Sequence, residues 1–184
     1  MTRLFVKFRR AQRRIRGAVL TAWIRANGGT VGGYLQVEPR VHVRWRPHPG
    51  LVLGDRVYLG VGAIIDVPPG ALLRLGDDVK IMHYSVLAAS ESIEIGAYSQ
   101  VAEHSSIRDS DHGLDRSRPI REQSLSTPTV IGTDVWVGRG CAVLRGTRIG
   151  DGSVVGANSV VRGEVPPYSI AVGAPARVVR ERVE

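Results

Sequence analysis

From Ile131 onward an aliphatic side chain returns at every sixth position, through Val137, Val143, Ile149, Val155 and Val161. Glycine follows four of these, at Gly132, Gly138, Gly150 and Gly156. The first half keeps the same rule in triplets: Leu53, Leu59, Ile65; then Leu75, Ile81, Leu87; then Ile95, Val101, Ile107. Leu35, Val41 and Pro47 extend the count backwards as a degraded first coil. A period of six matches neither a helix nor simple strand alternation. It fits a short strand and a turn, repeated, with three such units closing one triangular coil around inward aliphatics. Coils stacked at the strand spacing of ~4.8 Å predict a prism roughly 25–30 Å tall for five or six turns. The glycines serve where a side chain would clash or where φ must be positive. Each coil covers the open edge of its neighbour, so both ends need caps. A β-sandwich does not hold a six-residue phase over such a length.

The triplets also locate the interruptions. Ile65 to Leu75 is ten residues, Leu87 to Ile95 is eight, and Ile107 to Ile131 is 24. A long loop, 108–130, therefore leaves the prism near Arg108 and returns near Thr129. It opens with "SSIRDSDHG", which sets down Asp109, Asp111 and His112. Loops on rigid scaffolds are where sites concentrate. On its own, a lone loop histidine is an ordinary solvent-exposed residue, and aspartates beside loops often only shape turns.

The run "PTVIGTDVWVGRGCAVLRGTRIGDGSVVGANSVVRGEVPPYSIAVGAPARVVRE", Pro128 to Glu181, resembles the hexapeptide-repeat acyltransferases. Within that family it is similar to the branch of galactoside, maltose and polysaccharide O-acetyltransferases, and "DSDHG" with "RPIREQ" resembles its sugar-modifying members. The resemblance implies an all-β, left-handed parallel β-helix. The hand comes from the resemblance alone, because ordinary parallel crossovers are right-handed. The expected organisation is a basic amphipathic helix over 1–28, then the β-helix over 29–184 with the loop at 108–130 and a C-terminal tail at 166–184.

The resemblance also implies transfer of an acetyl group from acetyl-CoA to a sugar hydroxyl of a polysaccharide, glycolipid or precursor. The expected assembly is a homotrimer with sites between prisms. His112, five after Ile107, takes the place of the family's general base. An imidazole near its ordinary pKa of ~6.5 accepts a proton at neutral pH. Asp109, Asp111 or Glu103 is expected to orient its Nδ1. On the donor side, Trp136 aligns with the family tryptophan near the acyl-CoA cleft, or is a rim aromatic. Ala157 takes the place of a small residue beside pantetheine. Arg139 replaces a smaller polar residue, and Arg162 with Gly163 replaces a threonine–lysine pair. Arg177 and Arg180 match positions that meet CoA phosphates, for which the arginine fork is suited, or else form a solvated basic tail. On the acceptor side, Met82 stands where galactoside-type members have asparagine, with His83 and Tyr84 adjacent. No metal is expected, since the spacing of His83, His104 and His112 differs from that of the zinc-binding carbonic anhydrases on the same prism. No cofactor is expected beyond acetyl-CoA as donor substrate. The competing class is a non-catalytic β-helical assembly or membrane-binding module.

Charge changes the picture at one end. The net charge is +8, yet eight positive residues precede the first acid, Glu38. The other 17 of the 25 basic residues balance the 17 acids, so the body offers no basic face and nucleic-acid binding is not expected. If residues 2–25 are helical, Phe5, Phe8, Ile15, Val19 and Trp23 fall on one side. Such a helix caps the first coil, lies on an anionic membrane, or does both, with RNA binding by this segment as the remaining alternative. Cys141 is the single cysteine, which excludes an intrachain disulfide and reads as core or inter-coil packing. Without a long apolar run or a signal-peptide pattern, the expected location is cytoplasmic, with contact to the inner membrane face left open.

Overall fold

A computed structural model describes residues 2–183, with side-chain surroundings from Val6 onward. Helix α1, Thr2–Ala26, is followed by a parallel β-solenoid of three sheets with seven, eight and six strands. The chain visits face A, face B and face C in turn, six times, then adds Glu164–Val165 on A and Ser169–Gly173 on B. On face A, Val31, Leu53, Leu75, Ile95, Ile131, Ile149 and Val165 stack in register as one buried column. Face B contributes Val37, Leu59, Ile81, Val101, Val137, Val155 and Ala171. Face C contributes Val43, Ile65, Leu87, Ile107, Val143 and Val161. The three columns meet on the prism axis and form the core.

The first coil departs from expectation. Its inward series is Val31, Val37 and Val43, not Leu35, Val41 and Pro47. Leu35 stands two residues before an inward position, where Val57, Val79 and Val135 are buried in later coils. Corner packing thus mimicked the inward phase. With the phase corrected, every departure from six falls at the same corner, between face C and face A: Val43–Leu53, Ile65–Leu75, Leu87–Ile95, Ile107–Ile131 and Val161–Val165.

Where a glycine follows an inward residue, it answers to space rather than to turning. At Gly138 a Cβ would lie 2.7 Å from the Ala157 nitrogen and 2.8 Å from the Val155 oxygen of the next coil. Positive φ occurs two residues further along the turn, at Asp78, Tyr84, His104, Asp134 and Asn158. Buried hydroxyls satisfy the turn backbone: Ser105 Oγ donates to the Gly138 oxygen at 2.9 Å and accepts from the Cys141 amide at 3.1 Å.

Helix α1 caps the open first coil. Ile24 is fully buried, and at Gly17 a Cβ would fall 2.0 Å from the Leu35 oxygen, so the helix backbone rests directly on the coil. Arg13 and Arg9 reach Glu38, itself buried, at 3.5 and 3.7 Å. The predicted apolar stripe is not the packing side: Phe8, Ile15, Val19 and Trp23 stay exposed. Phe5 lies outside the described side chains. At the other end, Ala176–Glu181 folds back antiparallel on Ser169–Gly173 and closes face B.

Candidate active site

The excursion at the C–A corner is an antiparallel hairpin. Ser110–His112 pairs with Ser124–Ser126, and a 3-10 turn at Ile120–Glu122 lies between them. Its root is pinned to the prism. Thr129 Oγ1 donates to the Arg108 oxygen at 3.0 Å, and the Thr127 amide donates to the Asp109 oxygen at 2.8 Å. Gln123 is buried and organises the bend from within. Its Oε1 accepts from the Asp115 amide at 3.0 Å, while its Nε2 donates to the oxygens of Asp115 and Arg118 at 2.8 and 2.9 Å. The Asp115 carboxylate, bonded by the amide and hydroxyl of Ser117, is held below the usual carboxylate range.

His112 stands exposed on this hairpin, and its Nδ1 lies 3.0 Å from the Gln123 main-chain oxygen. A carbonyl oxygen can only accept, so Nδ1 carries the hydrogen in that bond. The neutral ring then presents Nε2 as a lone pair, ready to take a proton.

This corrects the expected orienting role of the acids. Asp109 is fully buried and accepts from the amides of Ser90 and Glu91 at 2.7 and 2.8 Å, closing the preceding coil's corner. Asp111 forms an ion pair with Arg145 at 3.2 Å, tying the hairpin to the coil that follows. Glu103 is paired with Arg139 at 3.5 Å on a different corner. Asp109 lies at the root of the hairpin, before the strand Ser110–His112 begins, and within that strand the successive residues Asp111 and His112 point to opposite faces.

The remaining candidates divide between two edges of the prism. The C–A edge carries His112 together with Arg162 and Gly163, the latter at φ +82°. The B–C edge carries Met82, His83 and Tyr84 in the third coil, Arg139 in the fifth and Ala157 in the sixth. On that edge His83 Nδ1 accepts from the Val61 amide at 2.8 Å, which leaves Nε2–H as a donor. Tyr84 stacks on His104, with ring centroids 5.3 Å apart. Met82 is half-buried.

Face B joins the other donor-side residues. Trp136, Val154, Ile170 and Arg180 are register partners in one outward column, so Arg180 sits three strands, roughly 14 Å, from Trp136. Arg177 pairs with Val172 further along the same strand. Trp136 borders an open hollow of about 340 Å³ together with Tyr98, Gln100 and Asp134. Arg182 closes it, donating to Asp134 Oδ2 at 3.0 Å and to the Gly152 oxygen at 2.8 Å. Sequence reasoning missed Gln123, Arg145 and Arg182. Gln123 ends the quoted "RPIREQ" and could have been found there. The other two had no signal beyond being arginines. Cys141 is buried and donates to the Gly156 oxygen at 3.1 Å, and burial pushes its thiol pKa up, as expected of inter-coil packing.

Comparison with known proteins agrees with this architecture. The family model "Bacterial transferase hexapeptide (six repeats)" matches residues 128–163. The chain is 43% identical over 134 residues to "Probable acetyltransferase Rv3034c" of Mycobacterium tuberculosis, covering 72% of this chain and only 44% of that protein's length. It is 35% identical over 137 residues to "Putative lipopolysaccharide biosynthesis O-acetyl transferase WbbJ" of Escherichia coli K12, covering 70% of each. Among solved structures, the hexapeptide-repeat acetyltransferase VCA0836 of Vibrio cholerae, complexed with acetyl coenzyme A, superposes with a TM-score of 0.67 at 30% identity, covering 72% of this chain and 71% of that one. With the stacked six-residue coils, the corner hairpin, and the E. coli and V. cholerae relatives each matched over more than two thirds of their length, the chain belongs to the hexapeptide-repeat acetyltransferases.

Proposed function

We propose that the protein transfers an acetyl group from acetyl-CoA to a hydroxyl of a sugar, in a polysaccharide, a glycolipid or a precursor of either, with His112 as general base. The observation that carries this reading is the bond between His112 Nδ1 and the Gln123 carbonyl, which fixes the one tautomer whose Nε2 can accept a proton. The acceptor hydroxyl attacks the thioester carbonyl as its proton passes to Nε2. The tetrahedral intermediate then collapses, the C–S bond breaks, and the imidazolium returns the proton to the departing CoA sulfur. No acyl-enzyme forms, which suits a chain whose single cysteine is buried.

The division of residues between two edges supports an assembly of three copies. One copy's C–A hairpin would meet the next copy's B–C edge, bringing His112 opposite Ala157 and Arg139. Trp136, Arg177 and Arg180 would hold the nucleotide end of the donor. His83 Nε2–H and Tyr84 would meet the acceptor. The E. coli relative's name, with its reference to lipopolysaccharide and O-acetyl transfer, supports the sugar hydroxyl as acceptor. The test is a melting curve with and without acetyl-CoA, followed by transfer to matched hydroxyl and amino sugars. A raised melting temperature with acetyl ester on the hydroxyl sugars is expected. A raised melting temperature with acetylation of the amino sugars alone would replace the acceptor, and absence of any shift would remove the donor.

A further inference from the structure

Helix α1 meets the prism through Arg13, Gly17, Thr21 and Ile24, and turns its apolar side to solvent. Phe8, Ile15, Val19 and Trp23 are 59%, 63%, 66% and 41% exposed. On a helical wheel these four span about 80° of the circumference, and Ala11, Ala18 and Ala22 extend the same sector. Between Val6 and Ala26 no charged residue falls inside it. Lys7, Arg10 and Arg14 border the sector on one side and Arg16 on the other. Among the described residues these four cations form no salt bridge. Lys7, Arg10 and Arg14 also line an open hollow of about 540 Å³ between the helix and the first coil, with no acid in its walls.

An exposed apolar ridge bracketed by cations is complementary to one kind of surface. A bilayer with anionic headgroups takes the ridge into its acyl boundary and meets the cations with phosphate. The same face of a second copy would set like charge against like. A nucleic acid would answer the cations and leave the ridge in water. No helix among the described residues is long and apolar enough to cross a membrane, so α1 is suited to lie on the surface. We propose that α1 docks the protein on an anionic bilayer, with Phe8, Ile15, Val19 and Trp23 in the acyl boundary and Lys7, Arg10, Arg14 and Arg16 at the headgroups. The opposite side of the helix stays on the first coil, so capping and docking proceed together. The proposal does not depend on acetyl transfer.

Co-sedimentation tests it with the full chain and vesicles of phosphatidylcholine alone or with phosphatidylglycerol. Wild type is expected to sediment with the phosphatidylglycerol vesicles, less so at high salt. The double variants Ile15→Asp/Val19→Asp and Lys7→Glu/Arg10→Glu alter exposed positions, and each is expected to weaken partitioning by at least about tenfold. Bromolipids should quench tryptophan fluorescence of the wild type, and Trp23→Phe should remove that quenching, a readout that needs no charged substitution. The proposal is overturned if wild type stays in the supernatant, or if Ile15→Asp/Val19→Asp sediments as wild type does. It is equally overturned if that variant changes oligomeric state by light scattering while wild type ignores vesicles, since the ridge would then be an interface between copies.

Discussion

The Nδ1 of His112 and the main-chain oxygen of Gln123 stand 3.0 Å apart across the two strands of the corner hairpin. The same residue that fixes the imidazole also ties down the bend beyond it, through three side-chain hydrogen bonds to Asp115 and Arg118. Ring orientation and loop order are therefore one property of the hairpin.

Replacing Gln123 by alanine keeps the carbonyl but frees the loop that positions it. Three partly buried hydrogen bonds disappear, each worth about 1 kcal/mol, and the loss is local because the prism does not depend on them. Gln123→Ala should lower the catalytic rate about tenfold or more with little change in melting temperature. Hydrogen exchange should quicken across residues 113–123 while the core strands keep their protection. Unchanged exchange in that segment would contradict the assignment.

Asp109 behaves differently. Its carboxylate is buried and closes the corner at Ser90 and Glu91. Asp109→Asn replaces one accepting oxygen with an NH₂ facing an amide, so a loss of about 1–3 kcal/mol is expected. Urea unfolding should show that loss, and the folded fraction should keep its turnover. If turnover fell and stability did not, Asp109 would belong to the reaction after all.

Cys141 gives a pH-dependent prediction. Burial raises its thiol pKa, so the folded state holds the proton to higher pH than the unfolded chain does. The stability this confers is present below the unfolded value and declines as pH rises past the ordinary thiol range. Wild type should lose more stability on that alkaline side than Cys141→Ser. In native protein the thiol should resist a soluble disulfide reagent, and it should react at once on unfolding.

Arg180 shares an outward column with Trp136 on face B. If that column holds the donor's phosphates, Arg180→Ala should raise the KM for acetyl-CoA about threefold to tenfold and leave kcat alone, as befits one exposed cation. A fall in kcat at constant KM would place Arg180 elsewhere in the mechanism.

Much of the fold was legible because inward residues of a prism repeat with a strict count. Fifteen of those residues, from Leu53 to Val161, occupy the predicted columns. The first coil was misread because Leu35 is apolar for a different reason, filling a corner rather than the axis. The hairpin and His112 were legible as a break in the count. The partner of Nδ1 was not, since a main-chain oxygen carries no residue signature and its place depends on the pairing of His112 with Ser124. Nor was the packing side of α1. Amphipathicity marks Phe8 and Ile15, whereas close approach at Gly17 decides which side meets the coil.

The role of His112 as general base is tested by the kcat/KM for acetyl transfer of wild type and His112→Ala, measured on protein of equal melting temperature. His112 is exposed and its removal should leave the prism intact. A loss of about 10²- to 10⁴-fold is expected, with acetyl-CoA still bound. An unchanged kcat/KM would contradict that role.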